Sequence, residues 1–179
     1  MDQSNNLFVI EGSDGTGKHT QFTLLTERLR TAGYDVVSFD FPRYEQPSSH
    51  YIRNYLAGEY GDAKTVGPYA ASLFYALDRY EAGPAIRAAL EAGKVVLIDR
   101  YTGSNLAHQG RKFDRAEDRK GFYLWLDSLE HQILNIPRPN RSFVLYAPPE
   151  ITTKLITDRQ GTKPGVKDDI HESDHEHLA

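Results

Sequence analysis

A glycine-rich segment near the start of the chain constrains the fold more than any other feature. Residues 12–19 read G-S-D-G-T-G-K-H; an apolar run, 7–10, precedes them, and apolar residues recur at helical spacing over 20–32. Glycines let successive backbone N–H groups turn towards one anion, a helix N-terminus adds its positive dipole end, and Lys18 adds a point charge. This strand–loop–helix context predicts a phosphate-binding loop for a nucleoside triphosphate. The loop residues are Gly12, Ser13, Asp14, Gly15, Thr16, Gly17, Lys18, His19 and Thr20.

One position of the loop departs from the general pattern. A Ser or Thr, whose hydroxyl binds magnesium, normally follows the lysine, but here that residue is His19 and the hydroxyl comes one residue later at Thr20. We therefore expect magnesium to depend more on carboxylates and on the phosphates themselves. By itself, His19 is interpreted as a surface residue at the start of a helix rather than as a ligand.

The rest of the chain alternates between short apolar runs and helical segments. The sequence predicts strands at 7–10, 35–41, 95–98 and 143–146, and helices at 20–32, 52–57, 66–80, 85–92 and 122–134. This alternation indicates an α/β fold with a parallel, doubly wound central sheet, whose ligands bind beyond the carboxyl ends of the strands. The chain has 179 residues, 39% of them hydrophobic, and no repeat or internal linker, which suits a single domain spanning residues 1–179.

Composition and charge exclude several classes of protein. The chain has no cysteine, which excludes a disulfide framework and a zinc site built on thiolates. Its start, MDQSNNLFVI, has neither a basic segment nor a long apolar one, and no window approaches the roughly 20 apolar residues that span a bilayer. A net charge of −4 argues against a general nucleic-acid surface. We therefore expect a cytoplasmic protein with neither nucleic-acid nor membrane partners.

A second short segment brings two charged residues to the same edge of the predicted sheet. Residues 95–101 read V-V-L-I-D-R-Y, a buried strand that ends at Asp99 and Arg100. A carboxylate in this Walker-B-like place can hold a magnesium-bound water, and the adjacent guanidinium can bind phosphoryl oxygens in bidentate fashion. The alternative is an Asp–Arg pair at the surface. The neighbouring phosphate loop favours the first interpretation.

Four motifs, in order, resemble those of the thymidylate kinase family. They are I-E-G-S-D-G-T-G-K (10–18), F-P-R-Y (41–44), L-F-Y-A-L-D-R (73–79) and D-R-Y-T-G-S-N (99–105). They look like the family's phosphate loop, monophosphate grip, base-binding helix and second phosphate motif. The resemblance implies a P-loop NTPase-type three-layer α/β/α fold with about five parallel strands. It also implies transfer of the γ-phosphoryl group of Mg-ATP to dTMP, and a homodimer.

The resemblance further implies roles for individual residues. Lys18 would bind the donor phosphates, and Asp14 would face the sugar 3′-hydroxyl and the metal–phosphate region. Residues that would contact the acceptor are Phe41, Pro42, Arg43, Tyr44 and Arg100 at its phosphate, Phe74, Arg79, Asn105 and His108 at its nucleoside, and Ser104 from the second phosphate motif. Phe74 would stack on the pyrimidine, Arg79 and Asn105 would bind its edge, and His108 would lie near C2′. From the residues alone, Phe74 equally suits a core position, and Arg79 could pair with Asp78 or Glu81.

The segment after residue 158 combines glycines, a proline and three cations, which is typical of a mobile lid, here at residues 159–168. The alternative is a solvated basic loop. Because Gly15 lies where some thymidylate kinases carry an arginine, the resemblance assigns the transition-state cation to the lid. The first candidate for this cation is Arg159, followed by Lys163 and Lys167. Asp169 and Glu172 would lie near the acceptor and metal; the alternative is an acidic helix start. The implied magnesium ligands are Asp14, Asp99 and Glu172.

These inferences predict an enzyme that works by positioning and electrostatics rather than through a general base, because the acceptor phosphate is already an anion. The predicted catalytic residues are Lys18, Arg100, Arg159 and Asp14. The family continues through a further strand and a terminal helix, which we expect to be missing from a chain that ends at Ala179. One alternative is a kinase for another nucleoside monophosphate or for a deoxynucleoside. Another is a nucleotide-binding regulatory protein with little turnover.

Overall fold

The structure, a computed structural model, describes residues 6–148, 150–153 and 155. Its strands are β1 (Leu7–Gly12), β2 (Val36–Asp40), β3 (Val95–Asp99) and β4 (Arg141–Leu145). Its α-helices are α1 (Lys18–Thr31), α2 (His50–Leu56), α3 (Ala63–Glu91), α4 (Thr102–Gly110) and α5 (Ala116–Asp127), with a 3-10 turn at Pro47–Ser49 and a π-helical turn at Ser128–Ile133. None of the helices in these residues combines the length and the hydropathy that crossing a bilayer requires.

The strands of the described residues form one parallel sheet in the order β2-β3-β1-β4. In the centre, β1 pairs with β3 so that Ile10 lies opposite Asp99. On its other edge β3 pairs with β2, and Asp40 also lies opposite Asp99. Because parallel strands end at the same edge of a sheet, the loop after β1 meets the acidic ends of β2 and β3 there.

Alternate side chains of the strands divide the core into two clusters, one on each face of the sheet. On one face α1 packs through Phe22, Leu25 and Leu29. On the other face α3 packs through Ala82, Ile86 and Ala89, together with Tyr101 after β3. The described residues thus form three layers, α/β/α, which confirms the predicted fold class. The chain leaves β1 and β3 towards opposite faces, and such a switch point opens a crevice in which ligands bind.

The helical region between β2 and β3 differs from the prediction. The sequence predicts separate helices at 66–80 and 85–92, but α3 continues through Pro84. Proline has no N–H for the helical hydrogen bond and usually ends or kinks a helix. Here Ala82 and Ile86 are fully buried in the core on successive turns, so burial of this face maintains the helix across the proline. The non-helical backbone within α3 lies instead at Gly67, whose φ is 71°.

The region between β3 and β4 also departs from the prediction. The sequence predicts a helix over 122–134, whereas α5 begins at Ala116, ends at Asp127, and continues into the π-helical turn. The sequence does not predict α4, because its residues, T-G-S-N-L-A-H-Q-G, contain two glycines and little apolar periodicity. Contacts to the rest of the protein, described below, stabilise this helix.

Candidate active site

A cavity of about 400 Å³ opens beyond the carboxyl ends of β1, β2 and β3. Most of the residues singled out from the sequence line it: Ser13, Asp14, Gly15, Thr16, Gly17, Lys18, His19, Phe41, Pro42, Tyr44, Arg79, Asp99, Arg100, Ser104, Asn105 and His108. Gly12, Thr20, Arg43 and Phe74 are not among the lining residues. The fold therefore brings the phosphate loop and much of the predicted acceptor site into one cavity.

The phosphate loop adopts backbone conformations that favour glycine. Gly12, Gly15 and Gly17 have φ values of 153°, 76° and 76°. A Cβ at Gly12 would lie 2.7 Å from the carbonyl oxygen of Leu145, so the absent side chain lets β4 approach the loop. Helix α1 then begins at Lys18 with no side-chain cap, which leaves its first N–H groups for an anion.

Lys18 joins the loop to the end of β3. The lysine is only 8% exposed, and its Nζ donates a hydrogen bond of 2.7 Å to Oδ1 of Asp99, which is also buried. A buried ion pair is retained only where the geometry is good, because both charges lose hydration. The predicted donor-phosphate lysine and the predicted magnesium ligand are therefore in direct contact.

Asp40, at the end of β2, is a residue of the cavity that none of the sequence motifs includes. It lines the cavity opposite Asp99, and the ligand atoms of His19, Asp40 and Asp99 lie within 4.8 Å of one another. Burial, and then the nearby charge of Asp99, raises the pKa of Asp40. His19 is largely exposed, and its Nδ1 lies 3.6 Å from Oδ2 of Asp99. The sequence signal for Asp40 was an acidic residue at the end of a strand, the same placement as that of Asp99 at the end of β3.

Arg100 faces the phosphate loop. Its backbone has a φ of 62°, a left-handed conformation that is uncommon outside glycine and is often found at functional sites. Its Nη2 donates a hydrogen bond to Oδ1 of Asp14 in the loop, and its Nη1 lies 3.5 Å from Oγ of Ser104. Two of the predicted catalytic residues, Arg100 and Asp14, are thus paired across the cavity.

A buried carboxylate on β1 holds the segment that follows β3. One oxygen of Glu11 accepts hydrogen bonds from the backbone N–H groups of Tyr101 (3.0 Å) and Ser104 (3.2 Å), and the other accepts from Oγ of Ser104 (2.6 Å). Glu11 therefore caps the N-terminus of α4 from a neighbouring strand, where an anion also complements the helix dipole. A Cβ at Gly103 would lie 2.7 Å from this carboxylate, which explains a glycine there.

The F-P-R-Y segment is anchored by α3. The Phe41–Pro42 peptide bond is cis. Arg43 donates from its backbone N–H (2.8 Å) and from Nε (3.0 Å) to the buried carboxylate of Asp78, and its Nη2 also pairs with Glu81. Asp78 and Glu81, the two acids that the sequence suggested as partners of Arg79, therefore bind Arg43 instead. The predicted phosphate-binding role of Arg43 stays a prediction.

The partner of Arg79 is Glu130, in the π-helical turn after α5. Both side chains are buried, and Nε and Nη2 of Arg79 each donate a hydrogen bond of 2.6 Å to one carboxylate oxygen. Burial opposes the charge on Arg79, but the paired carboxylate outweighs it and raises the pKa of the guanidinium. Asn105, which is also buried, donates 3.2 Å hydrogen bonds to Glu130 and to the carbonyl of Ser72. No local signal in the sequence points to Glu130, which lies 51 positions from Arg79.

Phe74 lies in an aromatic cluster with three tyrosines. Its ring stacks on that of Tyr51, with centroids 5.7 Å apart and planes 16° apart, and it also contacts Tyr55 and Tyr60. Its predicted stacking on a base stays a prediction. Five further residues with predicted roles, Arg159, Lys163, Lys167, Asp169 and Glu172, lie outside the described residues.

The fold and the site define a class of protein. The class is that of the P-loop phosphotransferases. Its features here are a parallel sheet, a glycine-rich loop that leads into a helix at a buried lysine, and an Asp–Arg pair at the end of the adjacent strand. The family model described as "Thymidylate kinase" matches residues 10–176. The chain belongs to the thymidylate kinase family.

Individual relatives agree with this membership. The thymidylate kinase of Mycobacterium tuberculosis (strain CDC 1551 / Oshkosh) is 32% identical over 171 residues, which cover 95% of this chain and 79% of that protein. The thymidylate kinase of Bifidobacterium longum (strain NCC 2705) is 33% identical over 170 residues, 93% of this chain and 79% of that protein. The solved structure of the Candida albicans thymidylate kinase shares the fold, with a TM-score of 0.70, 24% identity, and coverage of 93% of this chain and 70% of that one.

The capping role of Glu11 can be tested by Glu11→Gln. The variant loses the negative charge at the helix terminus and one of the two acceptor oxygens, so we expect the free energy of unfolding to fall by about 1–3 kcal/mol. Urea denaturation measures this change. The matched control is Glu27→Gln on the exposed side of α1, which we expect to unfold like the wild type. Equal midpoints for the two variants would contradict the capping role.

Proposed function

We propose that this protein is a dTMP kinase, which transfers the γ-phosphoryl group of ATP to the 5′-phosphate of dTMP and releases dTDP and ADP. The observation that carries the proposal is a single cavity lined both by the phosphate loop with Lys18 and by the buried polar pair Arg79 and Asn105. The first group suits a donor triphosphate, and the second suits the edge of an acceptor base. Named thymidylate kinases of similar sequence support the same reaction.

On the donor side, backbone N–H groups and one buried cation bind the phosphates of ATP. The loop N–H groups and the uncapped start of α1 bind the phosphates, and Lys18 balances charge on the β- and γ-phosphoryl groups. The burial of Lys18 strengthens this interaction, because water does not screen a charge inside the protein as it does at the surface. Catalysis here is electrostatic and requires no covalent intermediate.

On the acceptor side, Arg100 holds the phosphate that attacks. Its guanidinium lines the cavity and pairs with Asp14 of the phosphate loop, so it lies between donor and acceptor sites. Charge-assisted hydrogen bonds from an arginine orient a phosphate in a fixed plane. We extend the proposal to Tyr44, which lines the same cavity, and to Arg43 beside it in the F-P-R-Y segment. For Arg159, which lies outside the described residues, the role of a further cation rests on the sequence alone. The acceptor phosphate is an anion, so the reaction needs no general base.

The donor set fits a magnesium ion. Magnesium prefers oxygen ligands, and Asp40 and Asp99 offer carboxylates at adjacent strand ends, with Asp14 also in the cavity. We propose Asp99 and Asp40 as the residues that hold it; His19 follows Lys18 where a hydroxyl residue is usual, but its ring nitrogens are poor magnesium ligands and it is not part of the proposed set. Bound magnesium neutralises charge on the donor phosphates. A cation also relieves the repulsion between the two carboxylates that contributes to the raised pKa of Asp40.

We place the reaction in the cytoplasm, because a chain without cysteine has no need of an oxidising compartment.

We also propose that two copies of the chain associate through α3. On α3, Leu73, Leu77 and Tyr80 are 39%, 40% and 53% exposed, and their spacing puts them on one side of the helix. An exposed apolar stripe of this kind marks an association surface, and in a twofold dimer the same patch packs on its copy.

The proposed function is tested by the release of ADP from Mg-ATP with dTMP, dUMP, UMP, dCMP and AMP as acceptors at equal concentration. We expect turnover with dTMP to exceed that with the others. Lys18→Ala should lose at least about 10²-fold in kcat with dTMP, since it removes the main donor cation, while keeping its fold. Lys120→Ala, on the exposed side of α5, is the matched control. Preference for another acceptor, or normal turnover by Lys18→Ala, would refute the proposal.

The metal assignment predicts that Asp40→Asn binds divalent cations less tightly. We expect an affinity loss of about tenfold or more, because one of two carboxylate ligands is replaced by a neutral amide. The free Mn²⁺ signal in electron paramagnetic resonance, in the presence of ATP and with Mg²⁺ as competitor, measures it without turnover. Asp35→Asn, just before the start of the same strand, is the matched control. Equal Mn²⁺ affinities for the two variants would rule out Asp40 as a ligand.

The dimer proposal predicts that Leu77→Glu is a monomer. The substitution puts a charge in the middle of the apolar stripe on α3, where burial against a second copy would leave it unpaired. Sedimentation velocity measures the mass. Leu24→Glu on α1, a site with 54% exposure, is the matched control and should keep the mass of the wild type. A monomeric wild type, or a dimeric Leu77→Glu, would contradict the proposed interface.

A further inference from the structure

The cavity is bordered by a buried polar network centred on Glu130. The side chain of Glu130 is completely buried, and its two oxygens accept the bidentate pair of hydrogen bonds from Arg79. Oε1 also accepts from Nδ2 of Asn105 at 3.2 Å. Arg79 and Asn105 line the cavity, whereas Glu130 does not. Glu130 therefore acts on a molecule bound in this cavity only through its two partners.

These contacts fix the orientation of the Asn105 amide. Nδ2 donates both to Oε1 of Glu130 and to the backbone carbonyl of Ser72, at 3.2 Å each. A carboxylate and a carbonyl accept hydrogen bonds and cannot donate them. Turning the amide over would bring its oxygen against two acceptors, so the Asn105 oxygen is held away from them.

The Asn105 oxygen is a buried acceptor without a donor. In the described part of the chain, no hydrogen-bond partner reaches Oδ1 of Asn105, although the residue is only 4% exposed and lines the cavity. A buried polar atom left unpaired is unfavourable, and such atoms in folded proteins call for an explanation. A donor on a molecule bound in the cavity would satisfy it.

Arg79 provides the complementary donor. Glu130 occupies its Nε and one N–H of Nη2, and the guanidinium has further N–H groups. Because arginine stays protonated, it only donates. The wall of the cavity thus offers a fixed donor, Arg79, and a fixed acceptor, Asn105, both attached to the same carboxylate.

We propose that Glu130 is a positioning residue that sets base specificity: it fixes Arg79 as donor and Asn105 as acceptor, so the cavity selects an imide edge. The proposal rests on the proposed function, in which the acceptor is a pyrimidine nucleotide. Thymine and uracil present a carbonyl oxygen beside a ring N–H, which matches this pair. Cytosine presents an amino group beside an unprotonated ring nitrogen, so both contacts would be lost. Sites built from buried hydrogen-bonding groups reject such mismatched molecules strongly, because those groups are left unpaired.

The test measures binding of thymidine and deoxycytidine by calorimetry. These nucleosides lack the phosphate, so their affinity ratio reports on the base alone and requires neither ATP nor turnover. Glu130→Gln removes the charge and introduces an N–H₂ group that can donate to a reoriented Asn105. We expect the thymidine-to-deoxycytidine affinity ratio to fall by about tenfold or more, the effect of mispairing one buried polar group. Glu117→Gln, exposed on α5, is the control and should keep the wild-type ratio.

A second variant keeps the test decisive if Glu130→Gln does not fold. Glu130→Asp retains the negative charge that the buried Arg79 needs, but withdraws the carboxylate by one methylene group from Asn105. We expect this variant to fold and to lose part of the selectivity. A kinetic measurement separates positioning from a general structural effect: KM for dTMP should rise by a larger factor than kcat falls.

The outcomes separate this inference from the proposed function. A wild type that prefers thymidine, with a folded variant at position 130 that does not, supports the inference whether or not dTMP is phosphorylated. Failure to phosphorylate dTMP despite that preference would refute the kinase proposal alone. A wild type that binds both nucleosides equally, or folded variants at position 130 that keep the wild-type ratio, would overturn the role of Glu130.

Discussion

The parallel pairing of β1 with β3 is the constraint on which the rest of the site depends. It sets Ile10 opposite Asp99, so the segments that follow the two strands start side by side. Lys18 can then meet Asp99 at 2.7 Å, and Glu11 can cap α4 from the neighbouring strand. A shift of one residue would turn alternate side chains to the opposite face of the sheet and separate these groups.

Each of four arginine or lysine side chains in and around the cavity has a carboxylate partner. The pairs are Lys18 with Asp99, Arg100 with Asp14, Arg43 with Asp78, and Arg79 with Glu130. They hold the cations in place before a phosphate or base binds, which reduces the ordering that must accompany binding. Because these cations are already paired, the anion site of a chain of net charge −4 also depends on the backbone N–H groups of the phosphate loop.

Local sequence signals failed where distant contacts decide the conformation. Pro84 should end a helix, but the buried face of α3 maintains it. The nine residues of α4 have little helical pattern, and the helix is stabilised by Glu11 at its start and by the buried contacts of Asn105. In both cases packing supplies more free energy than the intrinsic preference of the residues, which amounts to about 1 kcal/mol per residue for glycine and 3 for proline.

By itself the sequence determined the phosphate loop, the alternating strands and helices, and the Asp–Arg pair after β3. These features are local: they depend on glycine spacing, hydrophobic periodicity and the residues that end a strand. Only the tertiary structure decided that Asp40 lies beside Asp99, that Phe74 stacks on Tyr51, and that Arg79 pairs with Glu130. The last pair joins residues 51 positions apart. From a single sequence, each arginine could form an ion pair with any of many acidic residues. The strand register and the packing of α3, α4 and α5 determine which of them is its partner.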